Sequence, residues 1–296
     1  MGTRIEAAAT SHRRPWRRSG ALKLSDHAAT ACLRRANHGA DDLDLLINAG
    51  MYKDRGAAEP ALASIIQEDI GANPGSPPRI GHHGTFSFDV VDGACGVMQS
   101  AQLVDAFVGS GSARLAMIVA ADADPSPLTS RNFRFPPVGG AVVISHTSGD
   151  AGFHDFRIRT FPQYASLFES RLYWDPSGGI ARRGRNVLEI VEAPDYCAQL
   201  VECTEEVVRE LITGIEIDLL IASQYPRDFA GRLAHRLGLP AESVPHVPRE
   251  LVGSYTAGPI AALEAAIESG QLARANHALF VTAGAGITVA AALYRS

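Results

Sequence analysis

The first residue whose type and position could do chemistry is Cys95, in "VVDGACGVMQS" (90–100). A thiol that follows an apolar run and precedes a helical one stands where a strand turns into a helix. The free N–H groups of a helix N-terminus favour a thiolate, so such a cysteine can act as a nucleophile. The same spot also suits a small buried residue in a tight turn. Cys32, Cys197 and Cys203 offer less: there is no CxxC and no adjacent histidine, so no metal site is expected.

The elements that would position Cys95 can be read from hydrophobic pattern. Continuous apolar runs at 42–50, 85–91, 114–123, 139–146, 217–224, 277–284 and 287–295 predict buried strands covered on both faces. Between them lie helical patterns at 25–36, with Ser25 as N-cap, and at 96–111, 204–214 and 254–270. The last three end on Gly111, Gly214 and Gly270, the residue that best closes a helix. Pro60 in "GAAEPALAS" predicts a further helix start. Strands alternating with helices give an α/β architecture.

The 296 residues are 46% apolar and 20% charged, which suits a large core rather than disorder. A net charge of −5 argues against general nucleic-acid binding. No apolar run reaches the ~18 residues of a membrane span. No signal peptide is seen, and a cytoplasmic protein with reduced thiols is expected. The local exception in charge is Arg13, Arg14, Arg17 and Arg18 around Trp16, read as a solvated basic loop rather than a phosphate site.

Two echoes run through the chain. "DDLDLLINAG" is repeated as "IEIDLLIASQ", and "AQLVDAFVGSGSARLAMIVAADA" as "AALEAAIESGQLARANHALFVTAGA". Both occur in the same order, which predicts two related halves, residues 1–150 and 151–296.

These pieces, with "FSFDVVDGACG" (86–96), "IDLLIASQYPRDFAGRLAHRLGL" (217–239) and above all "TAGAGITVAAAL" (282–293), resemble the thiolase superfamily and within it β-ketoacyl-acyl-carrier-protein synthase III. The resemblance implies a duplicated thiolase-like fold, a five-layered αβαβα sandwich, and a dimer. It implies a cysteine that takes an acyl group from coenzyme A or the phosphopantetheine of an acyl carrier protein. It implies no permanently bound cofactor. Backbone N–H groups of the cysteine and of the glycine matching Gly286 would hold the oxyanion.

This chain departs from the family pattern at each reacting position. Ser223 of "SQYP" stands where the family's His-Gln-Ala-Asn has histidine. Ser254 of "GSYT" stands where its Gly-Asn-Thr-Ser has asparagine. A serine hydroxyl cannot carry charge or accept a proton as imidazole does near neutral pH. The family's cysteine follows its aspartate by five residues, whereas Cys95 follows Asp89 by six. Aligned without a gap, Ala94 takes the nucleophile's place; with compensating gaps, Cys95 does. The expectation adopted is a pocket-facing Cys95 opposite "GAGI" (284–287). His82, His83, His154, His235 and His246 read as loop or surface residues, with His83 and His246 adjoining segments that enter the family's site. Two functions follow: an acyl-thioester transferase working through Cys95 without the decarboxylating pair, or a non-catalytic thiolase-fold subunit, a homodimer or a heterodimer with an active paralogue.

Overall fold

The structure, a computed structural model, describes residues 2–12, 20–54, 59–75, 84–125, 130–176 and 185–296. The basic cluster around Trp16, with His82 and His83, lies outside the described residues.

The first sheet is built from β1 (Gly2–His12), β2 (Leu45–Asn48), β3 (Phe86–Asp89), β4 (Leu115–Asp122) and β5 (Val138–Thr147), in the order β1-β5-β4-β2-β3. The second uses β6 (Gly152–Thr160), β9 (Leu219–Ala222), β10 (His277–Gly284) and β11 (Thr288–Arg295), in the order β6-β11-β10-β9. In each sheet two antiparallel pairings are followed by a parallel one, β4 with β2 and β10 with β9. The second sheet therefore repeats the first without a counterpart to β3. Every residue of β4 is buried, and so is all of β10 after His277, as strands covered on both faces must be.

The covering helices form three layers. α1 (Ala21–Ala36) and α2 (Leu62–Ile70) pack on the outer side of the first sheet. α3 (Gly96–Gly109) and α6 (Gly258–Glu268) lie between the sheets. α4 (Tyr196–Leu211) and α5 (Phe229–Leu237) cover the far side of the second, and a short α7 (Gln271–Arg274) follows α6. α3 turns Val97, Met98, Ala101, Val104 and Val108 into the central core, the spacing of one helix face. The hairpin of β7 (Phe168–Asp175) and β8 (Arg185–Glu192) stands apart as a two-stranded sheet. None of the described helices is long and apolar enough to cross a membrane.

Two helix starts differ from expectation. Ser25 does not cap α1; it lies inside the helix, fully buried, and its hydroxyl finds no hydrogen-bond partner among the described residues. The cap comes from a distant residue: Asp54 accepts the N–H groups of Ala21 at 3.0 Å and Leu22 at 3.1 Å. α2 is capped the same way by Asp89, which accepts from Leu62 at 3.0 Å and Ala63 at 2.9 Å. Both carboxylates satisfy N–H groups that the helix leaves free and sit at the positive end of its dipole.

Candidate functional site

Four turns converge at one end of the central layer. The turn 93–95 leads from β3 into α3. Residues 223–226 follow β9. The turn 253–257 leads into α6, and residues 284–287 join β10 to β11.

The first and the last are closely packed. A side chain on Gly284 would place its Cβ 3.0 Å from the Cβ of Ala94, so a larger residue there would have to push Ala94 aside. Ala94 itself is 1% exposed and belongs to the same buried cluster as Tyr52, Phe135, Tyr225 and Tyr255. Cys95 points the other way. Its Sγ donates to the carbonyl of Thr282 at 3.5 Å and of Thr288 at 3.3 Å, and the residue belongs to the central core with Val97, Met98 and Ile118. Burial, and next the nearby charge of Asp92, push its thiol up to about 12. The start of α3 is thus a helix N-terminus that does not activate its cysteine, because desolvation of a thiolate outweighs the helix dipole. The expected pocket-facing Cys95 is corrected: one residue of helix turns a side chain by about 100°, and here that turn gives Ala94 to the site and Cys95 to the core.

The two serines are brought to the same place but are internally committed. Ser223 is fully buried, and its Oγ accepts the N–H of Ala283 at 3.3 Å, beside Gly284. Ser254 is 1% exposed and donates to the carbonyl of Leu251 at 2.8 Å. Gly286 has φ +119°, and a Cβ there would meet Thr288 and Thr160 rather than residue 94 or 95. Within the 284–287 turn it is Gly284, not Gly286, that abuts Ala94. His235 and His246 are exposed, and His154 bonds the carbonyl of Asp150 at 3.0 Å.

Aromatic rings fill what the turns enclose. Tyr255 stacks on Phe135 with centroids 4.6 Å apart, and Phe135 stacks on Tyr52 at 5.3 Å. Tyr225 meets Phe135 edge-on at 4.8 Å, and Phe168 lies 6.1 Å from Tyr255. Such offset and edge-to-face pairs are favourable beyond the area they bury. The hydroxyl of Tyr225 donates to Glu192. Burial raises the phenols of Tyr52, Tyr196, Tyr225 and Tyr255, so none is a base near neutral pH. Tyr225 and Tyr255 went unremarked in the sequence, although the signal was there. They occupy the places of alanine in His-Gln-Ala-Asn and of threonine in Gly-Asn-Thr-Ser, and a large ring replacing a small residue beside a reacting group closes space.

One carboxylate holds this arrangement in register. Asp122, at the end of β4, is fully buried. One oxygen accepts the N–H groups of Met51 at 3.2 Å and Tyr52 at 2.9 Å; the other accepts the N–H of Thr256 at 2.8 Å and its hydroxyl at 2.6 Å. Burial raises its pKa in spite of these four donors. Asp122 ties the loop bearing Tyr52 to the turn bearing Tyr255.

The sheet orders, the central helix pair and the four converging turns define a duplicated thiolase-like fold. A structure of 3-oxoacyl-[acyl-carrier-protein] synthase III from Aquifex aeolicus superposes with a TM-score of 0.80 at 22% identity, over 100% of both chains. OleA of Xanthomonas campestris, with bound lauric acid and lauroyl-CoA, gives 0.79 at 14% identity over 100% of this chain and 99% of that one. In sequence, β-ketoacyl-[acyl-carrier-protein] synthase III of Aquifex aeolicus is 26% identical over 283 residues, covering 92% of this chain and 83% of that protein. The Rhizobium rhizogenes protein of the same name is 29% identical over 289 residues, with the same coverage. Residues 209–296 match the family model for the C-terminal part of 3-oxoacyl-[acyl-carrier-protein] synthase III. The chain has the thiolase-like fold, and in sequence it is similar to the β-ketoacyl-[acyl-carrier-protein] synthase III proteins.

Proposed function

We propose that this chain is a non-catalytic thiolase-fold subunit that pairs with an active condensing paralogue acting on acyl-coenzyme A or acyl carrier protein. The observation that carries the reading is the exchange of places at the start of α3, with Ala94 toward the four turns and the Cys95 thiol locked against β10 and β11. Covalent acyl transfer needs a thiolate that can reach a thioester carbonyl. Ala94 supplies no nucleophile, and Cys95 is buried and held protonated. Ser223 and Ser254 supply no base, so transfer through Cys95 is set aside.

A partner-binding surface supports the same reading. β3 ends its sheet and pairs only with β2, which leaves one row of its backbone groups unpaired among the described strands. Phe86 on that strand is 58% exposed, and Val91 and Leu103 beside it are exposed as well. An apolar edge strand of this kind suits a second thiolase-fold chain.

The test is to express the chain alone and with a condensing paralogue from the same genome. A one-to-one complex by native mass spectrometry is expected, with no acyl adduct on this chain after incubation with a panel of acyl-coenzyme A thioesters. An acyl group mapped to the Cys95 peptide would overturn the proposal.

A further inference from the structure

The ring of Tyr255 raises a question that the loss of the reacting groups does not answer. Replacing a nucleophile by alanine leaves a space; here that space has been taken. Tyr255 is 2% exposed and enclosed by Phe135, Phe168, Tyr52 and Tyr225. Its hydroxyl oxygen stands 3.0 Å from where a Cβ on Gly93 would lie, and Gly93, at φ +50°, is the residue before Ala94. Asp122 fixes the backbone on both sides of the stack, through Tyr52 and through Thr256 next to Tyr255.

We infer that Tyr255 is an internal plug occupying the volume in which an acyl group on residue 94 would lie, so that this site excludes acyl thioesters independently of the missing nucleophile. The inference rests on the reading that the site does not load acyl groups, and it makes a separate claim about space. A site that had merely lost its cysteine would accept one back. A plugged site would not.

The experiment restores a thiol by Ala94→Cys in a Cys95→Ala background and measures two reactions at that position. With iodoacetamide, a C–S bond forms as the C–I bond breaks, and the thiol proton goes to solvent. With acetyl-coenzyme A, the acetyl carbon passes to the introduced sulfur as its bond to the coenzyme sulfur breaks, and the coenzyme leaves as the thiol. The Ala94→Cys variant should react slowly with both reagents. Adding Tyr255→Thr should raise both rates at least ten-fold; adding Tyr255→Phe, which keeps the ring, should not. Tyr255→Leu, which keeps apolar packing but removes the ring, serves if the threonine variant does not fold and should open the site likewise. Equal rates with and without the ring would overturn the plug. Acylation of wild-type Cys95 would instead sink the non-catalytic reading and leave these rates unaffected.

Discussion

Two surfaces lie within one helix length of each other around α3, and they treat apolar side chains in opposite ways. At the N-terminal turn, where family resemblance leads one to look for an open reaction site, Ala94 and Tyr255 are almost wholly buried. Along the flank, where a monomer would place polar residues, Leu103 is exposed and Phe86 packs on Phe88 and Phe107 at the edge of the sheet with more than half its surface in solvent. Water is a poor neighbour for Phe86, and a substrate has no room beside Ala94. The contrast indicates that the part of this molecule left to interact is its flank.

The sharpest way to break that contrast is chemical. Iodoacetamide should modify half-buried Cys197 first and the fully buried Cys32 and Cys95 much more slowly, because burial closes access to both and pushes both thiols up to about 12. Peptide mapping that finds Cys95 among the fast thiols would return it to the site.

Stability comes next. Asp122→Ala leaves four donors facing an empty space, and urea denaturation should show a loss of about 3 kcal/mol. Ser254→Ala, which removes one local bond, should cost about 1 kcal/mol. Comparable losses would mean that the carboxylate does not organise the site.

The flank answers to a gentler substitution. Phe86→Asp with Leu103→Asp should leave the fold intact, since both side chains are exposed, and weaken association on the order of 30-fold by sedimentation velocity. Unchanged association would move the partner surface elsewhere.

The smallest effects are electrostatic and have opposite signs. Asp89 is held below its ordinary value of 3.8 despite burial, by Lys53 and by the N–H groups that start α2. Its stabilising effect is therefore complete above about pH 4 and is lost as pH falls through the lowered value. Asp89→Asn should flatten that acid limb. Asp26, in α1, is raised to about 7 by burial and by Asp69 of α2. A raised carboxyl stabilises when protonated, so its contribution is present below about pH 4 and lost as pH rises toward 7. Asp26→Asn should raise the Tm at pH 8 by about 1–2 °C and leave it unchanged at pH 4. A shift at both pH values would mean that packing rather than charge sets the effect.

Much of this was legible in the sequence where one signal dominated. β4 and β10 announce themselves as unbroken apolar runs, and the two echoes appear as the same strand order in both sheets. β7 was missed because its pattern is mostly exposed and polar, and the first two turns of α4 were missed although Asp195 stands at its N-cap. The caps of α1 and α2 could not be read locally, since Asp54 and Asp89 reach them from 26 to 33 residues away. At the site the difficulty was register. Counting from Asp89 without gaps gives Ala94 the nucleophile's place, and that count agrees with the geometry. A cysteine one position along drew attention because of its chemistry, although what mattered was the direction of its side chain.

The close packing of Gly284 on Ala94 also bears on how this lineage can change. A thiol regained at position 94 enters a space already held by Tyr255, and a histidine regained at 223 must displace the neighbours of a fully buried serine. Each single reversal disturbs packing and restores no chemistry, so selection meets a cost at every first step and no benefit until several substitutions coincide. On the proposed reading, the close packing of Gly284 on Ala94 and of Tyr255 on Gly93 works as a ratchet, since a single reversal disturbs the core before any chemistry returns.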